Sequence, residues 1–291
     1  MPDSTLHAPL LAWYAASARD LPWRRASATP WAVLVSEVML QQTPVSRVLP
    51  VYAAWMNRWP DPAALAGARA GEAVRMWGRL GYPRRALRLH AAAVAVSTRH
   101  GGVVPSSTDE LRALPGVGDY TAAAVRAFAF GQRAVVLDTN VRRVLARADA
   151  GEAAAGRSIS RMERATAERL LPDDPLTAAA WSVATMELGA LVCTARSPAC
   201  ERCPLAARCR WRASGYPESS APAAHRAQSY AGTDRQCRGA LLAVLRDASG
   251  PVRAAELEVV WAPALQRERA LTSLLDDGLV VEGAEGSLSL P

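Results

Sequence analysis

Four cysteines fall between residues 193 and 209, in the pattern Cys193-x6-Cys200-x2-Cys203-x5-Cys209. Nothing else in the sequence restricts the fold as tightly, because thiols this close together point to a single shared object. The chain has 291 residues and one more cysteine, Cys237. A secreted disulfide framework spreads its cysteines through a short chain, so a metal or cluster site in a reducing compartment is expected instead. Zinc sites usually present two close pairs, or cysteine mixed with histidine. Here there is one close pair, and His7, His90, His100 and His225 all lie elsewhere. Four thiolates suit a [4Fe-4S] cubane, with a structural zinc as the alternative. Cys237 reads as a small core residue.

Charge narrows the partner. There are 34 basic and 27 acidic side chains, a net +7, and every basic residue is arginine. The excess points to a polyanion. The absence of lysine excludes a lysine Schiff base and a P-loop. Residues 236–291 carry five arginines against eight acids, so the attraction belongs to residues 1–235. No uncharged apolar run is long enough to span a membrane, and the N-terminus does not read as a signal peptide. A cytoplasmic monomer without membrane contact is expected.

Residues 1–212 read as an all-α core, rich in alanine, leucine and arginine and punctuated by proline. Helices are expected over about 6–18, 31–42, 45–58, 70–79, 84–100, 108–113, 119–130, 139–148, 158–171 and 175–191. Residues 213–235, rich in Ala, Ser, Gly and Pro, read as a linker. Residues 236–291 then offer three helices and a terminal hairpin around Gly283–Gly286, the outline of a winged-helix-like module.

Three places in the core carry chemistry. Leu114-Pro115-Gly116-Val117-Gly118 separates two helices, and glycines there let the backbone turn tightly against a ligand. The N–H groups of the following helix then form an anion site. Asp138, ahead of VRRVLARA, suits an N-cap. Glu37 sits in WAVLVSEVMLQQT, a helix apolar almost all round and therefore buried. An isolated carboxylate there is costly and favours its protonated form.

The cysteine spacing, LPWR (21–24), SEVMLQQT (36–43), WGRLGY (77–82), LPGVG with Tyr120 and Thr121, LDTNVRRVLAR (137–147) and MELGALVC (186–193) together resemble the MutY-type adenine glycosylases of the endonuclease III superfamily. The resemblance covers residues 8–212. It implies a two-lobed helix-hairpin-helix DNA glycosylase with a [4Fe-4S] loop on Cys193, Cys200, Cys203 and Cys209, acting in base excision repair on double-stranded DNA with mispaired adenine. A bacterial, nucleoid-associated location follows. By the same resemblance Glu37 protonates adenine, Asp138 stabilises the sugar cation, and Tyr120 and Asn140 support the carboxylates. Leu21, Trp23, Arg24, Leu40 and Val45 line the base pocket. Gln42, Thr43 and Leu80 contact the orphaned guanine lesion, Tyr82 wedges into the stack, and Gly116 and Gly118 meet phosphate.

Several positions depart from the family pattern. Val183 stands where an adenine-contacting Glu or Gln is frequent, Thr139 replaces a glycine, and Pro83 replaces an aromatic. Residues 213–291 are too few for the family's Nudix-like lesion-reading domain, which matches the actinobacterial form lacking it. Protein contact through this module is an alternative to DNA contact. Endonuclease III-type enzymes carry a lysine where Tyr120 stands here, so strand cleavage through a lysine amine is not expected. Two other functions fit in part: a thymine or uracil mismatch glycosylase on the same scaffold, and a non-catalytic iron–sulfur DNA-binding protein.

Overall fold

The computed structural model describes residues 5–218 and 230–291. Twelve α-helices run through the described core: α1 (His7–Ser17), α2 (Pro30–Leu40), α3 (Val45–Arg58), α4 (Pro62–Ala66), α5 (Ala70–Trp77), α6 (Arg84–Arg99), α7 (Thr108–Arg112), α8 (Asp119–Phe130), α9 (Thr139–Leu145), α10 (Arg161–Leu170), α11 (Pro175–Leu191) and α12 (Arg210–Ala213). Their starts are set by local chemistry. Asp61 and Asp174 cap α4 and α11, each ahead of a proline at the first helical position. Ser160 and Glu163 form a capping box at α10. None of the described helices is long and apolar enough to cross a membrane.

The all-α expectation for the core holds, with corrections at two helix boundaries. The helix expected to reach residue 42 stops at Leu40, because Gln42 turns into the left-handed region at φ 55°. The helix expected over 139–148 ends at Leu145 and widens into a π turn at Ala146–Ala150 that buries Arg147 and Asp149. The short α4 and α12 have too few residues to show a period. Of the expected linker, residues 219–229 lie outside the described residues.

The described chain divides into two compact units, each assembled from separated segments. The first takes its described residues from Met1–Val33, Ser106–Arg112 and Val117–Ala224. Its core packs Leu6 and Leu10 against Leu170, Trp181 and Leu188. The second comes from Leu34–Pro105, Ala113–Gly116 and His225–Pro291. Trp55 is fully buried there, edge-on to Trp59 and Trp77 at 4.7 and 5.9 Å between ring centroids.

The C-terminal segment belongs to the second unit. It runs α13 (Asp234–Asp247), β1 (Val252–Arg253), α14 (Ala254–Glu258), α15 (Ala264–Asp276), β2 (Val281–Glu282) and β3 (Ser287–Ser289). β3 is the central strand, antiparallel to both β1 and β2. This segment is bound to α5 and to the start of α6. Arg75 donates to the Ala248 carbonyl at 2.8 Å and Arg246 to the Val74 carbonyl at 3.1 Å. Asp277 holds Arg84 at 3.1 Å and Arg238 at 2.6 Å. The Gly71 N–H donates to the Pro291 carbonyl, and a Cβ at Gly71 would lie 2.8 Å from Leu290 Cβ. Gly71→Ala therefore forces these backbones apart. The expected outcome is a loss of about 1–3 kcal/mol, read as a lowered melting temperature together with faster amide exchange across residues 234–291.

Candidate active site

In the first unit, Asp138 occupies the N-cap of α9, as its sequence context suggests. One carboxylate oxygen accepts from the Val141 N–H at 2.6 Å and the other from Asn140 Nδ2 at 2.7 Å. Burial raises the Asp138 pKa, and these two hydrogen bonds together with Arg143 oppose the rise. Asn140 is itself fixed, because Arg143 Nη2 donates to its Oδ1 at 2.8 Å. The same guanidinium donates to the Cys193 carbonyl from Nε and to the Gly189 carbonyl from Nη2, both at 2.7 Å. A continuous chain of hydrogen bonds thus runs from Asp138 through Asn140 and Arg143 to the backbone of the first cysteine of the motif. Gly189 is required for the close approach, since a Cβ there would lie 2.7 Å from Asn140 Cβ.

Cys193, Cys200, Cys203 and Cys209 line one cavity of about 300 Å³, part of it open to solvent. Among the described residues no group of three or more His, Cys, Asp or Glu side chains is placed to hold a single metal ion. Four thiols around a shared cavity fit a shared metal centre, and an iron–sulfur cubane is one such object. Arg147, presented by the π turn, closes one side. It donates to Cys193 Sγ at 3.4 Å and to the Thr194 carbonyl at 2.7 Å, and its guanidinium lies 4.5 Å from the Trp211 ring centroid. When bound, the cluster supplies cross-linking of this loop rather than a reacting group.

Leu21 and Trp23 are buried, beside and within the 3-10 turn Pro22–Arg24. Arg24 reaches Glu187 on α11 at 2.9 Å, and Arg19 grips the same carboxylate at 2.8 and 2.6 Å. Glu187 is fully buried. Burial pushes its carboxyl up, but the two guanidinium groups outweigh burial and hold the pKa at about 2. Nη1 of Arg24 is buried and makes no hydrogen bond among the described residues. Tyr120 is half-buried on α8 against Ala124, Ala127 and Val136. Val183 lies half-buried on α11 and Thr139 is exposed.

The second unit holds the other expected residues except Gly118, which lies in the first. Glu37 is 5% exposed, within a run from Trp31 to Met39 in which every side chain is buried. Leu40 and Val45 are half-buried, Gln42 is exposed and Thr43 buried. Leu80 is buried, whereas Tyr82 is exposed. Gly116 has φ 81°, and a Cβ on it would lie 2.8 Å from Arg88 Cβ. Gly118, by contrast, has open space around its Cα and caps α8 with extended backbone. The residues that sequence reasoning missed are Arg19, Arg85, Arg143, Arg147 and Glu187. Only Glu187 left a signal, a lone carboxylate in an otherwise apolar helix, which is the argument already used for Glu37.

Comparison with known proteins fits this geometry. The HhH-GPD superfamily base excision DNA repair protein model matches residues 35–170, and the iron–sulfur binding domain of endonuclease III matches residues 193–209. The adenine DNA glycosylase of Mycolicibacterium smegmatis is 54% identical over 97% of this chain and 94% of its own length. This chain belongs to the adenine DNA glycosylase family. Its residues 193–209 form the family's iron–sulfur binding domain, its cofactor is a [4Fe-4S] cluster, and its chemistry is that of a base excision repair DNA glycosylase. A thymine-DNA glycosylase of Aeropyrum pernix is 38% identical over 67% of this chain and 89% of its own. Among solved structures, a thermostable thymine-DNA glycosylase matches with a TM-score of 0.63 at 27% identity, covering 71% of this chain and 94% of that one.

Glu187→Gln leaves two guanidinium groups close together without their anion, a loss of about 3 kcal/mol. Because the folded pKa is depressed to about 2, the stability of the natural protein that Glu187 supplies is present above about pH 4.5 and disappears as pH falls toward 2. Urea unfolding of both proteins should show a gap at pH 7 that narrows below about pH 4.5 and closes only as pH approaches 2.

Proposed function

We propose that this glycosylase hydrolyses the bond between deoxyribose and adenine mispaired with 8-oxoguanine or guanine, and leaves an abasic site uncut. The observation that carries the proposal is Asp138: a half-buried carboxylate at a helix N-terminus, pinned on both oxygens. Such a group is preorganised to face positive charge on a sugar. Glu37 is the proton donor to the adenine ring, and the C1′–N9 bond breaks with its electron pair leaving on the base. Water then attacks C1′ and gives its proton to a carboxylate. Leu21 and Trp23 wall the base, and Nη1 of Arg24, buried without a hydrogen-bond partner among the described residues, is a donor for a ring nitrogen; Leu40 and Val45 are base-pocket residues by the family resemblance. Tyr120 and Asn140 hold the carboxylates. The match to the mycobacterial adenine enzymes continues through the C-terminal segment, whereas that to the thymine enzyme covers only two thirds of this chain, which supports adenine. The lesion side is read by Gln42, Thr43, Leu80 and Tyr82, with Gly116 and Gly118 at a phosphate. The C-terminal segment, winged-helix-like in its element order, takes the place of a larger lesion-reading domain.

The deciding test is single-turnover excision on duplexes carrying A opposite 8-oxoguanine, A:G, T:G and U:G, with and without alkali. Cleavage only at adenine and only after alkali is expected, and Glu37→Gln should lose at least about a hundredfold while still binding duplex. With no lysine available, borohydride should trap no covalent complex. Excision of thymine, or an unchanged Glu37→Gln, overturns the assignment.

Asp138 must be ionised to meet the sugar cation, so activity is present above its raised pKa and is lost as pH falls through it. Asn140 lowers that pKa by hydrogen bonding to the charged form. Asn140→Leu should therefore move the acid limb of the rate profile to higher pH.

A further inference from the structure

We propose that Arg85 is a positioning residue that sets the two lesion-reading turns in register with each other and holds the Tyr82 ring in its wedge orientation. This rests on the reading of Gln42, Thr43 and Tyr82 as lesion contacts. Arg85 is only 7% exposed, and none of its hydrogen-bond partners is an acid. Burial lowers its pKa to about 10, so the guanidinium keeps its charge near neutral pH. All its acceptors are neutral oxygens. Nη1 donates to the carbonyls of Val38 at 3.0 Å, Met39 at 3.2 Å and Gln41, and Nη2 to Thr43 Oγ1 at 3.0 Å and the Gly81 carbonyl at 3.1 Å.

The choice of acceptors is what assigns the role. Val38 and Met39 belong to the last turn of α2, whose carbonyls lack helical partners and attract a cation. Gln41 and Gly81 are the residues immediately before Gln42 and Tyr82. Those two are non-glycine residues with positive φ, 55° and 48°, a conformation that side chains disfavour. By fixing the carbonyl that precedes each, one planar fork holds both peptide planes where the left-handed turn needs them. The Tyr82 ring adds a third constraint. Its centroid lies 5.3 Å from the guanidinium carbon, and Trp77 lies 5.2 Å away. Tyr82 is nonetheless 57% exposed. The ring is steadied by the cation and still open to stack on a base.

Arg85→Lys keeps a charge but cannot reach two turns at once. Its rate on A opposite 8-oxoguanine should fall at least about tenfold, and the preference over A:G should shrink toward unity, while cluster absorbance stays that of the natural protein and the variant, though less stable, remains folded at the assay temperature. Tyr82→Phe and Tyr82→Leu, both at an exposed position, provide a second arm. Phenylalanine keeps the ring on the guanidinium and should retain the preference, whereas leucine should lose it. A 2-aminopurine beside the orphaned base should brighten on binding of the natural protein and of Tyr82→Phe, but not of Tyr82→Leu or Arg85→Lys. A folded Arg85→Lys with full preference and full brightening overturns the proposal, as does a Tyr82→Phe indistinguishable from Tyr82→Leu. If the natural protein excises no adenine, the function above fails instead, and the fluorescence arm still decides the role of Arg85.

Discussion

The guanidinium of Arg143 joins Asn140, on its own helix α9, to a stretch far along the chain: Gly189 on α11 and Cys193 at the head of the cysteine loop. Asp138 owes its setting to this joint, because the amide that holds it is held in turn by Arg143. A planar donor with a fixed fork can serve carbonyls lying in different directions, which a single ammonium on a flexible stem cannot do. Anything that loosens the loop after Cys193 is therefore transmitted to the Asn140 amide through two rigid groups. The cysteine loop is in this sense part of the support of the carboxylate as well as a separate staple.

The same device recurs in the second unit. Arg85 and Arg246 are both buried enough for their pKa to fall to about 10, and both donate to backbone carbonyls rather than to acids. A positive charge surrounded by carbonyl dipoles is tolerated where an isolated ion would not be, because each dipole points its oxygen at it. Arginine excess thus has two uses here. Part of it lies on the surface and accounts for attraction to a polyanion, and part knits helix ends and turns together inside.

How legible this was depended on range. The cysteine spacing, the Pro-Gly hairpin, the cap at Asp138 and the buried Glu37 are local patterns, and each was visible because a few adjacent residues carry the whole signal. Most helix positions followed from period and proline for the same reason. Arg85 was hidden, since RRALR reads as an ordinary basic helix start and only the burial of one face reveals which arginine turns inward. Arg143 and Arg147 were equally hidden among the three arginines of TNVRRVLARA. The π turn escaped because a single inserted residue leaves no compositional trace. The attachment of the C-terminal segment to α5 depends on backbone groups of Gly71, Val74 and Pro291, which sequence does not mark.

The first unit's interleaved construction has a consequence for its birth. Leu6 and Leu10 must find Leu170, Trp181 and Leu188, and Arg19 must find Glu187. During synthesis the opening helix therefore emerges with no companion and waits until the chain has passed α11. Loop closure over such separations is slow, and apolar surface stays bare meanwhile. The cysteines follow directly behind α11, so the last structural partner and the cluster ligands leave the ribosome almost together. Cluster loading can then coincide with closure of the unit instead of following it, so iron supply and folding yield rise and fall as one quantity.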